Sequence, residues 1–250
     1  MKVFEATIVA FLCLAAFGQA QTQVTVANYA GYTGTFPVAP GSIASAYGDF
    51  GSVSTVSAST VSPMPKELAN TKVRVNGVDA PLYFVSRGQI NFVVPASTAV
   101  GRQPVEVISN GTVVSRGNVN VYEVGPGLAA SDSSPARPGI VQNQNFSVNG
   151  PSARAKRGEV IQVYATGCGR TNPATEDGVP PTALSGAVAQ VKAFISVDEA
   201  NVQFAGAHPQ FPGICQVNVT VPNSPYVTGQ APMYVSVNGI ASNMVSVWVE

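Results

Sequence analysis

The chain has 250 residues, 13 Lys+Arg against 13 Asp+Glu, zero formal net charge and only 10% charged residues. That length holds one large domain or two of about 100 residues, and the even charge balance excludes the electrostatic footprint of a nucleic-acid binder. Gly (24) and Pro (19) are plentiful, which favours strands joined by tight turns, since β-branched residues suit a pleated surface and Gly, Pro and Asn supply turn geometry.

Residues 1–20 read as an export signal. Lys2 precedes an apolar or small run from Ala6 to Phe17, which as a helix spans about 18 Å, short of the roughly 30 Å of a hydrocarbon core. Gly18 and Ala20 supply the small residues of a cleavage site. The mature chain is therefore expected to begin near Gln21, secreted or at the cell surface, with no membrane insertion. Cys13 leaves with the signal, because bulky Leu12 before it does not suit lipid modification. Next come Tyr29, Tyr32 and Phe36, spaced by Gly31 and Gly34, in a segment without strand alternation. They are candidate ligand-binding residues as exposed aromatics, or else caps on the first core.

From there the sequence repeats itself. Gly41 and Tyr47 match Gly158 and Tyr164 at a displacement of 117, and Gln89-Ile90-Asn91-Phe92-Val93-Val94-Pro95 matches Gln216-Val217-Asn218-Val219-Thr220-Val221-Pro222 at 127. Gly101, Pro104, Val107, Asn110 and Gly111 match Gly229, Pro232, Val235, Asn238 and Gly239 at 128. Order is kept while the displacement grows through insertions, so two copies of one domain are expected. In both copies apolar residues alternate with polar ones at the period of a half-buried strand, and Pro95 and Pro222 end those strands. Asn-Gly pairs at 76–77, 110–111 and 238–239 mark hairpins. About seven strands per copy predict two tandem immunoglobulin-like β-sandwich domains, 21–123 and 139–250; a single eight-stranded barrel is the alternative and leaves the repeat unexplained. Residues 124–138, rich in Gly, Pro and Ser, read as a linker. Val245, Val247 and Val249 form a last strand with Trp248 on its other face.

Residues 39–45, 75–82 and 88–95, with Val163-Tyr164-Ala165-Thr166-Gly167, Asn172-Pro173 and Gln216 to Val219, resemble a family of uncharacterised bacterial secreted proteins. The resemblance covers most of residues 39–250 and implies tandem Ig-like modules of the IPT/TIG type and export. It transfers no activity, ligand or catalytic residue. A bacterial source leaves the sequons at Asn110, Asn145 and Asn218 without a role.

No constellation for catalysis stands out. The single histidine, His208, sits in a loop and reads as a surface residue; no Gly-x-Ser-x-Gly elbow, His-Glu-x-x-His helix or phosphate loop is present. Gly125-Pro126-Gly127-Leu128-Ala129-Ala130 imitates a dinucleotide fingerprint, but Ser, Asp and Pro follow where a helix should begin. Glu176-Asp177 and Asp198-Glu199 are adjacent pairs that point to opposite faces of an extended chain; Asp177-Gly178 reads as a turn and Asp198-Glu199 as a hairpin tip. Arg154-Ala155-Lys156-Arg157 reads as a solvated turn. No cofactor and no metal site is expected.

Cys168 and Cys215 are the cysteines of the mature chain, and both positions are glycine in the first copy, Gly51 and Gly88. An even count in an oxidising compartment and a joint change between copies predict a disulfide. The expected function is a secreted, non-catalytic interaction or structural module for an unknown extracellular protein or glycan, as an adhesion unit or spacer. The alternative is a carbohydrate-binding accessory to polysaccharide-degrading enzymes.

Overall fold

The structure, a computed structural model, describes residues 22–31 and 37–250. The expected signal, Cys13, Tyr32 and Phe36 lie outside these. Every regular element among the described residues is a strand. None of their segments forms a helix long and apolar enough to cross a membrane.

The first copy contains β1 (Thr22–Asn28), β2 (Ile43–Tyr47), β3 (Val56–Ser57), β4 (Thr71–Val75), β5 (Val78–Asp79), β6 (Leu82–Val85), β7 (Gln89–Val93), β8 (Gly101–Ser109) and β9 (Thr112–Val121). One layer runs β3-β6-β7-β2 and the other β9-β8-β4-β5. β1 belongs to both: Thr25–Asn28 pair antiparallel with β2, while Thr22–Thr25 pair parallel with β9. This is the immunoglobulin-like arrangement, two layers joined by a strand that changes partner. Between them lie Val73, Leu82, Ile90 and Phe92, all fully buried, each contributing roughly 1.5–3 kcal/mol of apolar transfer energy.

The second copy contains β10 (Gly127–Leu128), β11 (Val141–Gln142), β12 (Val160–Thr166), β13 (Thr171–Asn172), β14 (Gly186–Ala187), β15 (Val191–Ile195), β16 (Asp198–Ala207), β17 (Ile214–Thr220), β18 (Gly229–Val237), β19 (Ile240–Ala241) and β20 (Val245–Val249). Here β16 joins the layers. Asp198–Ala200 pair with β15 and Asn201–Ala207 with β17. The expected alternation holds: Val217, Val219 and Val221, like Val245, Val247 and Val249, are buried in a second core. The three Asn-Gly pairs sit at hairpin turns, both residues at positive φ in each.

Two expectations need correction. The tip between β15 and β16 is Ser196-Val197, with Ser196 at φ 57°; Asp198 and Glu199 already pair with Ile195 and Phe194 as strand residues. The segment 124–138 is not a free linker. β10 pairs with β12, and Val124, Leu128 and Ala130 are buried in the second core. The Asn243 side chain holds Leu128 at both polar groups, accepting from its N–H at 2.7 Å and donating to its carbonyl at 3.0 Å. The small-residue composition reads as flexible, yet it serves close packing: a Cβ on Gly167 (φ 75°) would lie 1.8 Å from the Gly125 carbonyl oxygen.

The copies also interlock. The Ile43 N–H donates to Thr166 Oγ1 (2.8 Å), whose hydroxyl donates to the Gly213 carbonyl (2.8 Å). The Met64 N–H donates to the Gly178 carbonyl (2.8 Å) and the Ala96 N–H to Asp177 Oδ1 (2.7 Å). Ile43, Met64 and Val93 form a small buried cluster with Tyr83 and Ile214 packed on it.

Candidate functional site: an uncharged cleft between the sandwiches

The junction leaves a cleft of about 690 Å³. Its aromatic lining comes from both copies: Tyr29 and Tyr83 from the first, Phe146, Tyr164, His208 and Phe211 from the second. Asn91, Gln142, Gln162 and Gln216 add amides. Among the described residues none that lines it is Asp, Glu, Lys or Arg.

Strand alternation explains this composition. On β7, β12 and β17 the buried positions face the cores, so Asn91, Gln162, Tyr164 and Gln216 project from the outer faces. The end of β12 meets the start of β2 at the Ile43–Thr166 hydrogen bond, which brings the two outer faces together. The Tyr83 hydroxyl donates to the Pro212 carbonyl at 2.6 Å, and burial, with a lesser effect from Tyr29, pushes its ionisation well above the ordinary range. It stays a protonated donor. Tyr164 donates to Gln142 Oε1 at 2.5 Å, and burial raises its ionisation too.

His208 is not the surface residue expected. It is 7% exposed, and its Nδ1 accepts the backbone N–H groups of Gln210 (3.0 Å) and Phe211 (3.1 Å). An Nδ1 that accepts carries no proton, so the neutral ring holds its proton on Nε2; burial lowers the pKa from its ordinary value of 6.5. The ring lies 5.4 Å from that of Tyr164 and 5.0 Å from that of Phe211, centroid to centroid. Its loop is anchored where it ends: Cys215, the first residue after Ile214, is joined to Cys168 in the expected disulfide.

The rim is unusually apolar. Tyr29 is 44% exposed, Ile140 42%, Phe146 70% and Phe211 43%. Phe146 also sits at φ 65°, a left-handed conformation that a bulky side chain adopts only at a cost. Hydrogen bonds hold the turn: Phe146 N–H to the Asn143 carbonyl (2.8 Å), and the Ser147 N–H and hydroxyl to Asn145 Oδ1. The strained backbone presents an exposed ring at the cleft, where it is 70% exposed and adds little to the packing of either core.

Of the aromatics singled out in the sequence, Tyr29 is at the cleft rim rather than in the first core. The other members were missed, since each alone reads as the solvent side of a strand or loop. A signal was available: both copies carry Gln-x-Asn at the outward positions of the same strand, 89–91 and 216–218, although Asn is disfavoured in strands. Among the described residues no group of three or more His, Cys, Asp or Glu is placed to hold a metal ion.

No family model and no curated protein matches the chain. Among solved structures it is similar to the plexin A4 full extracellular region, at 11% identity over 91% of this chain and 18% of that one, with a TM-score of 0.30. It is also similar to the Bacteroides ovatus mixed-linkage glucan utilization locus SGBP-B in complex with a mixed-linkage heptasaccharide, at 12% identity over 86% and 43%, TM-score 0.32. A third is FdeC, an Escherichia coli adhesin, at 12% identity over 92% and 64%, TM-score 0.24. The chain spans less than a fifth of the plexin and less than half of the Bacteroides protein. At these TM-scores the likenesses carry no inference, and what bears on function is the chemistry of the cleft.

Proposed function

We propose that this chain is an extracytoplasmic, non-catalytic carbohydrate-binding protein whose recognition site is the cleft between its sandwiches. The observation that carries this is the lining: aromatic rings and amides with no formal charge. Sugar rings offer apolar C–H faces that stack on aromatic side chains, and hydroxyls that both donate and accept, as amides do. An uncharged lining suits a neutral glycan over an acidic one, which would call for Lys or Arg. Glycoside hydrolysis uses a pair of Asp or Glu flanking the scissile bond, and among the described residues no carboxylate lines the cleft; the site is read as holding its ligand without cleaving it. Export is supported by the signal-like residues 1–20 and by the disulfide, which belongs to oxidising compartments.

Affinity electrophoresis through gels containing neutral polysaccharides (glucans, xylan, mannan) or acidic ones (pectate, alginate) tests this reading. At least one neutral polymer is expected to retard the protein, and Tyr164→Ala to abolish the retardation. Phe146→Gly separates binding from folding. Removing the left-handed strain is expected to raise stability by up to about 1 kcal/mol, while the lost ring weakens binding. Free migration through every neutral polymer, or retardation that survives both substitutions, would overturn the proposal.

A further inference from the structure

The cleft is the centre of a longer surface. In the first copy Tyr47 lies opposite Gln89, and Phe84 opposite Asn91, across the β2, β7 and β6 ladder. In the second, Tyr164 lies opposite Gln216, and Phe204 opposite Asn218, across β12, β17 and β16. The same four residue types thus occupy the same four outward positions in both sandwiches, none of them buried. The amides are tied in the same way: Gln89 donates to Asn91 Oδ1 at 2.8 Å and Gln216 to Asn218 Oδ1 at 2.9 Å. A fold constrains its inward positions; it does not require an identical outward set, so the repetition asks for a reason beyond packing.

The two sets lie in series. β12 ends at Thr166, where Ile43 begins β2, and the Ile43–Thr166 hydrogen bond joins them. On the neighbouring strands, Ile214 and Val93 are the residues at the junction, both in or against the small interface cluster. Passing outward from there, the second copy presents Gln216 and then Asn218, and the first presents Asn91 and then Gln89. Each step of two strand residues is about 7 Å. In the second copy the Tyr164–Gln216 end of the set lines the cleft, and in the first the Asn91 end does. Tyr47, 44% exposed, therefore marks the far end of the strip on the first sandwich, beyond the cleft itself.

Resting on the carbohydrate reading of the cleft, we infer that the protein binds the interior of a linear neutral polysaccharide, like segments of which lie on the two like half-sites from Tyr47 and Gln89 to Asn218 and Phe204. A polymer repeats its own chemistry along its length, and so does this strip. A terminal sugar or a disaccharide fills the cleft alone, whereas a longer chain reaches the outlying half-site.

Isothermal titration with glucan, xylan and mannan oligosaccharides, from disaccharide to hexasaccharide, tests the inference. The full protein is expected to bind a neutral hexasaccharide at least tenfold more tightly than its disaccharide. Tyr47→Ala, on the solvent side of its strand and remote from the cleft, should weaken hexasaccharide binding about tenfold, one aromatic stacking contact, and leave any disaccharide binding unchanged. Gln89→Ala should also weaken hexasaccharide binding, and Tyr164→Ala should weaken both lengths. Equal affinity for both lengths, or a hexasaccharide affinity indifferent to Tyr47→Ala and Gln89→Ala, would overturn the extended strip and leave the cleft reading standing. Absence of binding at every length would overturn both.

Discussion

The two sandwiches fasten the same pair of strand ends by different means. In the first, β2 and β7 are held beyond their ladder by the Gly48 N–H to Gly88 carbonyl and Phe50 N–H to Arg87 carbonyl bonds, and by an exposed Arg87–Asp49 ion pair at 3.1 Å. In the second, the corresponding ends of β12 and β17 carry the Cys168–Cys215 disulfide. Water screens the exposed pair, so it contributes little, although Arg87 does hold the Asp49 carboxyl below its ordinary range. The difference follows from what each end carries. Ahead of Gly88 there is only the short turn from β6, whereas ahead of Cys215 lies the loop with His208 and Phe211, which lines the cleft and packs on the first sandwich. The covalent fastener sits where a displaced strand end would displace the site.

The largest effect that breaks this comparison is expected at Gly167. Its counterpart in the first copy, Phe50, is a fully buried core side chain, while Gly167 has no space for even a Cβ beside Gly125 and stands at positive φ. Gly167→Val adds the left-handed penalty of about 1–2 kcal/mol to an overlap that only backbone movement relieves. Little folded protein is expected, judged by yield and urea unfolding; a near-normal unfolding midpoint would show that 124–138 is loosely attached after all.

Replacing both Cys168 and Cys215 by Ser is expected to cost about 2–4 kcal/mol, since the bond closes a long loop, with a sequence separation of 47. Asp49→Asn at the corresponding place in the first copy should leave the denaturation midpoint unchanged. Equal effects in chemical unfolding would remove the asymmetry on which the comparison rests.

The smallest expected effect is that of pH. Burial lowers the His208 pKa below 6.5, so the unfolded chain takes up the proton first. The stability that the neutral ring contributes is complete above pH 6.5 and declines as the pH falls toward the folded-state pKa. Protonation at Nδ1 would also remove the acceptor that orders the Gln210 and Phe211 N–H groups. Melting followed from pH 7.5 to 5 is expected to show a decline that His208→Gln flattens; parallel curves for the two proteins would refute the assignment.

Much of the fold was legible because it follows from local rules: period-two alternation on β7 and β17, Asn-Gly at three hairpins, and a repeat that aligned Cys168 and Cys215 with two glycines. The errors came where composition stood in for packing. Gly125 and Gly127 look flexible, yet their smallness is what lets Gly125 lie against the Pro37 and Gly167 backbone and Gly127 against the Asn28 and Ala30 side chains. The cleft was illegible for a different reason. Tyr29, Tyr83, Tyr164 and Phe211 are far apart in the chain and meet only through the junction, and nothing local specifies how one sandwich sits on the other. The traces of it in the sequence were Tyr29 as an exposed aromatic, the match of Tyr47 with Tyr164, and the recurrence of Gln-x-Asn outside the core.

The junction at Gly125, Gly167 and Thr166 has a kinetic consequence. Backbone packed on backbone at Gly125 and Gly167 and the Ile43–Thr166 and Ala96–Asp177 hydrogen bonds brace the copies against each other, and on the proposed reading the cleft is expected to be formed before a ligand enters. A preformed site spends little free energy on ordering itself, and encounter is then limited by diffusion and orientation rather than by a closing motion. Association traces should be single-phased, with rates proportional to ligand concentration, and substitutions along the cleft should be felt in how long a ligand stays.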